Sequence, residues 1–229
     1  MNMHEFRTWI FDCDGVILDS NNLKTDAFFE VVLPYGKEHA EKFIDYHKRM
    51  GGVSRYEKFR YFFEEIVKKQ DYENELISVL DAYSAIVRAK MIDSDETEGM
   101  RDLLAAIPKN SKKIVVSGGD ENELREVFRI KGIDQLFDEI FGSPRDKRGI
   151  IRDALERNMI QRPVVFIGDS RFDYAVADEF GFDFVFMSEY SEFPEWKDFF
   201  SHKPEIPVIN SLSDMAETIR NSGTSGCLL

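Results

Sequence analysis

The stretch Phe11-Asp12-Cys13-Asp14-Gly15-Val16-Ile17-Leu18-Asp19-Ser20 follows a short apolar run, Trp9 to Phe11. Side chains alternate along an extended backbone, so Asp12 and Asp14 can point one way while Cys13 turns back into the packing. Two carboxylates about 4 Å apart repel by roughly 4 kcal/mol at an effective dielectric near 20, so the pair calls for a cation. Ligands made only of oxygen favour Mg²⁺ over zinc. Gly15 lets the backbone turn sharply and come close to a ligand.

Three later apolar runs end in groups of the same chemical kind. Lys113-Ile114-Val115-Val116 leads to Ser117-Gly118-Gly119, and Glu139-Ile140-Phe141 leads to Gly142-Ser143-Pro144 with Lys147 behind it. Val164-Val165-Phe166-Ile167 leads to Gly168-Asp169-Ser170-Arg171-Phe172-Asp173. A carboxylate nucleophile, a second carboxylate to move protons, a hydroxyl with glycine amides, a lysine and a further carboxylate make a site for phosphoryl transfer. Asp12 would approach an anionic phosphate as an anion, so Mg²⁺ and Lys147 are needed to offset part of the charge. Ser117 and the Gly118 amide suit the remaining phosphate oxygens.

The elements that must position these groups follow from periodicity. Short apolar strands separated by amphipathic helices predict a parallel sheet covered on both faces, a doubly wound α/β core of Rossmann-like type. Ligands in such sheets bind beyond the carboxyl ends of the strands. Strands are also expected at about Phe182 to Met187 and Pro207 to Ile209. Asp120 is a candidate helix cap with Glu123 completing a capping box. Between Asn22 and about Asp93 no strand pattern occurs. Apolar positions at Tyr56, Phe59, Phe62, Phe63, Ile66 and Val67, then Leu76, Val79, Leu80, Tyr83, Ile86 and Val87, follow a period of 3.6. The expected organisation is a core of residues 1–20 and 95–220, an inserted all-helical cap at 21–94 and a flexible tail at 221–229. The cap's aromatic cluster is read as core packing. Its tip, Met50-Gly51-Gly52-Val53-Ser54-Arg55, carries two glycines before a predicted N-cap at Ser54, and Arg55 could meet an anion there.

Composition excludes several classes. The 229 residues carry 30 basic and 43 acidic side chains, a formal charge of −13, which argues against nucleic acid as a partner. No apolar signal core or membrane-length run is present, so a cytoplasmic protein is expected. Two cysteines, Cys13 in the first motif and Cys227 in a polar tail, do not suggest a disulfide framework. The histidines, His4, His39, His47 and His202, lie outside the motifs without metal-ligand spacing and are read as packed or solvated.

The four motifs, in order from Asp12 to Asp173, resemble those of the haloacid dehalogenase superfamily, in the branch of phosphoglycolate phosphatases and β-phosphoglucomutases that carries a helical cap after the first motif. The resemblance implies that Asp12 forms an aspartyl-phosphate and that Asp14 protonates the leaving group and then activates water. It also implies that Asp12, the Asp14 backbone carbonyl and Asp169 hold Mg²⁺, with Asp173 behind them. Superfamily members that attack carbon lack an equivalent of Asp14, which favours phosphate-ester chemistry on a small phosphorylated metabolite. The loop Gly52-Val53-Ser54-Arg55 is similar to one in β-phosphoglucomutases whose arginine grips a phosphate. Those mutases, however, carry a Glu-Asp pair where this chain has Gly168-Asp169, and a cap histidine where it has Lys24. A Mg²⁺-dependent phosphatase is therefore the leading expectation, a mutase the alternative, and a non-catalytic phosphate-binding protein the third. Arg55 and Lys24 are the basic cap residues expected to face the core and contact the substrate.

Overall fold

The apolar runs do pair as strands in the computed structural model, which describes residues 2–224. Six parallel strands, β1 (Thr8–Phe11), β2 (Lys112–Asp120), β3 (Glu139–Ser143), β4 (Val164–Gly168), β5 (Asp183–Met187) and β6 (Val208–Ile209), form one sheet in the order β3-β2-β1-β4-β5-β6. All four residues of β1 are buried, as expected of a central strand covered on both faces. In register, Phe11 lies between Val115 and Ile167. The order reverses between β1 and β4, so a crevice opens beyond their carboxyl ends.

Between β1 and β2 the chain is helical: α1 (Asn21–Val32), α2 (Lys37–Arg49), α3 (Arg55–Tyr61), a π-helical stretch at Phe62–Val67, and α4 (Glu73–Asp93). Ser54 caps α3 by accepting from the Glu57 amide, as its position predicted. The aromatic cluster packs as core. Phe59, Phe62 and Phe63 are fully buried, and Phe28, Phe43 and Tyr83 meet them through their ring faces and edges.

After the cap come α5 (Met100–Ala106), α6 (Glu121–Lys131), α7 (Lys147–Glu156), α8 (Arg171–Glu179), α9 (Trp196–Ser201) and α10 (Leu212–Thr224). The last helix corrects the expected tail. Leu212, Met215, Ala216 and Ile219 recur at helical spacing and are buried, with α10 packed against α5, so residues 221–224 continue a helix. Residues 225–229 of that tail, Cys227 among them, lie outside the described residues. Strand β2 also runs past its expected end at Val116, with an irregular register against β3 between Val116 and Asp120. Cys13 is a free, buried thiol, as its alternation predicted.

Candidate active site

Asp12 is the residue after β1, and its amide continues the ladder by donating to the Ile167 carbonyl at 3.0 Å. Its carboxylate is held through one oxygen. Both the Cys13 amide, at 2.7 Å, and the Lys147 ammonium, at 2.8 Å, meet Oδ1. Among the described residues no hydrogen bond or ion pair reaches Oδ2, and Asp12 lines the crevice. Lys147, the first residue of α7, is 1 % exposed and also donates to Asp173 Oδ1 at 2.6 Å. Asp146 caps that helix by accepting from the Gly149 amide at 2.6 Å, which fixes where the lysine leaves the backbone. Asp173, fully buried in α8, receives the Ser170 hydroxyl on its other oxygen at 2.5 Å. Ser117 is buried and accepts from the Gly119 amide at 3.0 Å.

Asp169 follows β4 and accepts from Asn21 Nδ2 at 2.6 Å. Gly15, at φ +71°, lies so close that a Cβ there would fall 2.4 Å from Asp169 Oδ2, so the first motif's glycine is required by both backbone angle and space. Asp14 does not join the other carboxylates through its side chain. Its oxygens accept from Lys24 Nζ and Ser20 Oγ, each at 2.5 Å. Lys24 is thus engaged within the site, at the carboxylate expected to move protons.

The electrostatics express this crowding. Burial, with smaller contributions from Asp173 and Asp14, pushes the Asp12 carboxyl up from 3.8 to about 7 against the opposing pull of Lys147. Burial and the neighbouring Asp12 and Asp173 hold Asp169 well above the usual carboxylate range. For Asp14, burial is outweighed by the Lys24 ammonium and the Ser20 hydroxyl, and its carboxyl falls below the ordinary value. Asp12, Asp169 and Asp173 each offer an oxygen within 4.8 Å of the others. Four carboxylates meet two ammoniums here, leaving two negative charges when all are ionised. A divalent cation with oxygen ligands fits that charge and that donor set.

The cap closes over this crevice. Gly118, after Ser117, sits so near the tip loop that a Cβ on it would approach the Gly52 carbonyl oxygen at 2.5 Å. Arg55 does reach the crevice wall, but its guanidinium binds Glu123 of α6 through two nitrogens, at 3.0 and 2.6 Å, and Ser84 at 2.8 Å. Glu123, read from sequence as half of a capping box, therefore faces the cap instead, while Asp120 still caps α6.

Among the polar lining residues, sequence reasoning missed Asn21, His47, Lys48, Lys58 and Glu192. His47 is packed, as expected, but within the crevice wall. Only the asparagine carried a local signal, standing directly after the first motif.

The model of the family described as haloacid dehalogenase-like hydrolase matches residues 9–187, most of the chain. The chain belongs to that family. A phosphorylated carbohydrates phosphatase from Thermotoga maritima is 27% identical over 184 residues, covering 77% of this chain and 82% of its own. Among solved structures, a putative haloacid dehalogenase-like hydrolase from Bacteroides fragilis superposes with a TM-score of 0.72 at 20% identity, over 92% of this chain and 100% of that one. A β-phosphoglucomutase from Clostridium difficile gives 0.71 at 19% identity, over 96% and 99%. At these identities the two structures establish the shared fold, a Rossmann-like core with a helical cap. Family membership makes the chain a hydrolase, with a three-aspartate cluster that could hold a metal ion.

Proposed function

We propose that the protein is a Mg²⁺-dependent phosphatase of small phosphorylated metabolites, acting through an aspartyl-phosphate on Asp12. The observation that carries this reading is the Asp12 carboxylate, anchored by Lys147 and the Cys13 amide at Oδ1 alone, with Oδ2 left for chemistry in the crevice. An Asp12 oxygen attacks phosphorus, and the ester P–O bond breaks with its electron pair leaving on the alcohol oxygen, which takes a proton from Asp14. Asp14 then removes a proton from water, the water oxygen attacks phosphorus, and the bond to Asp12 breaks to release inorganic phosphate. Lys147 offsets charge at the attacked phosphate and Asp173 holds Lys147 in place. Ser117 and the Gly118 amide bind the other phosphate oxygens. Mg²⁺, when bound by Asp12, the Asp14 carbonyl and Asp169, with Asp173 behind them, supplies further neutralisation of the transferred phosphoryl group.

Lys24 would hold Asp14 ionised, the form needed to activate water. Protonating the leaving group requires Asp14 to take up a proton first, so Lys24 must loosen during each turnover. The tip loop lies on Gly118 and so shields this edge of the crevice from water, as the chemistry requires. A cytoplasmic setting fits this reading, and no helix among the described residues is long and apolar enough to cross a membrane.

Phosphate release from a panel of sugar phosphates and phosphoglycolate, with Mg²⁺ and then with EDTA, tests the proposal. Stoichiometric phosphate that vanishes in EDTA supports it. Isomerisation of a hexose 1-phosphate to the 6-phosphate with little free phosphate would replace it with a mutase, and no turnover of any ester would return it to a binding role.

A further inference from the structure

Helix α1 begins without the cap its sequence offers. Ser20 stands at the N-cap position, yet its side chain accepts from no amide of the first turn. Such a bond contributes about 1 kcal/mol, so a helix that forgoes it is using the side chain elsewhere. The Ser20 hydroxyl goes to Asp14 at 2.5 Å, and the next side chain, Asn21, also bonds outside the helix. Its Nδ2 donates to Asp169 Oδ2 at 2.6 Å and to the Tyr190 carbonyl at 2.8 Å. A carbonyl can only accept, so the amide must turn its nitrogen to this side, and both of its N–H groups are spent there.

Tyr190 belongs to the loop after β5, and that loop holds Asp169 a second time. The Ser191 hydroxyl donates to the Asp169 backbone carbonyl at 2.5 Å and accepts from the Phe193 amide at 3.2 Å. Asp169 is thus gripped by its side chain and by its main chain, while Gly15 closes the space beside Oδ2. Among the described residues no hydrogen bond or ion pair reaches Oδ1. The grip therefore selects which oxygen stays open, as Lys147 and the Cys13 amide do for Asp12. The same loop touches both places where the chain passes between core and cap. Asn21 is the first residue of the cap's first helix, and on the return the Glu98 amide donates to the Tyr190 hydroxyl at 3.3 Å.

We propose that Asn21 is the positioning residue that aims Asp169 at the cation, and that through Asn21 and Ser191 a bound cation stiffens the base of the cap. The inference rests on the proposed Mg²⁺ site. A donor on one oxygen of a metal-binding carboxylate fixes the direction of the other, and loss of such a partner lowers metal affinity by about 10- to 100-fold. Linkage requires the reverse effect: if the brace favours the cation, the cation favours the brace by the same factor.

Calorimetric titration of Mg²⁺ into the metal-free full chain tests the first half and needs no turnover. Asn21→Leu, close in size but without a donor, should raise Kd by about 10- to 100-fold, and Ser191→Ala by at least about 3-fold. Hydrogen exchange separates a positioning role from a merely structural one. With each protein saturated in Mg²⁺, exchange across residues 188–193 should slow by at least about 5-fold in wild type relative to EDTA and change little in Asn21→Leu. An unchanged Kd in Asn21→Leu would overturn the proposal, as would Mg²⁺ protection of 188–193 that survives the substitution. If Asn21→Leu does not fold, Ser191→Ala decides by the same two measurements. A wild-type protein that binds no Mg²⁺ would remove the metal site itself, and the proposal with it, whereas wild-type binding that the variants share would remove the brace alone.

Discussion

Without a cation the Asp12 carboxyl should make folding depend on pH, and the sign and size can be worked out. Burial and two neighbouring carboxylates raise its pKa from 3.8 to about 7 in the folded protein. A group raised in this way contributes stability that is fully present below its unfolded pKa and is lost as pH climbs through the folded one. Between about pH 4 and 7 the unfolded chain has given up the proton while the folded chain still holds it, so stability declines with rising pH. At about 1.4 kcal/mol per pKa unit, the full loss is about 4 kcal/mol. Other carboxylates titrate in the same window, so the effect is isolated by the difference between wild type and Asp12→Asn. Urea denaturation in EDTA should show the variant gaining about 4 kcal/mol over wild type between pH 4 and 7. Saturating Mg²⁺ should reverse that gain, since the ionised wild-type carboxylate binds the cation and the amide does so poorly. A difference that stays constant across pH in EDTA would refute the account of a desolvated carboxylate poised for a cation.

Four further outcomes follow from the geometry. Asp12→Asn should fold and retain less than a few per cent of wild-type phosphatase activity in a steady-state assay, because the amide lacks the anionic nucleophile. Asp14→Asn should lower kcat by about 10²- to 10⁴-fold on an ester with a poor leaving group and by less on p-nitrophenyl phosphate, whose leaving group needs little protonation. Gly118→Ala, whose methyl would meet the Gly52 carbonyl at 2.5 Å, should hold the cap off the core, cut kcat at least 10-fold and lower Tm, because the same displacement parts Arg55 from Glu123. Glu123→Ala leaves the buried Arg55 without its carboxylate and should cost about 3 kcal/mol in urea denaturation, a loss that Arg55→Met in the same protein largely restores.

The framework was legible because its signals are local. Each strand of the sheet is a short apolar run, and the groups at their ends carry their chemistry in their own side chains, so Asp12, Ser117, Lys147 and Asp169 could be read before the fold was known. Most of the cap side of the crevice was not legible, because its contacts join residues far apart in sequence. His47 of α2, Lys58 of α3 and Glu192 meet only after these cap helices and the loop after β5 have packed together. His47, seen alone, looked like any packed or solvated histidine. Glu123 shows the competition directly: the Ser/Asp-x-x-Glu pattern is a fair local signal, yet a buried guanidinium across the crevice outbids a cap that Asp120 already satisfies. Helix α10 was lost for a related reason. Its apolar stripe is brief and runs into the polar Asn221-Ser222-Gly223-Thr224, so composition masked the spacing of Leu212, Met215, Ala216 and Ile219.

The distribution of charge across the cap suggests how closure and recognition are divided. Arg88–Glu126, with the arginine 56 % exposed, joins cap to core where water screens it, and such pairs contribute only about 0–1 kcal/mol. Arg55–Glu123 is different, because Arg55 is 4 % exposed and opening the cap must return both ions to water. Asn21, bound to Asp169 at the first residue of α1, sits beside the point where the cap leaves the core, so its contact can persist while the distal tip swings. Closure is therefore set mainly by one buried pair, which lies away from the reacting phosphate, and by the contact of Gly52 with Gly118 at the phosphate's edge. A cap latched in this way needs no substrate to close it.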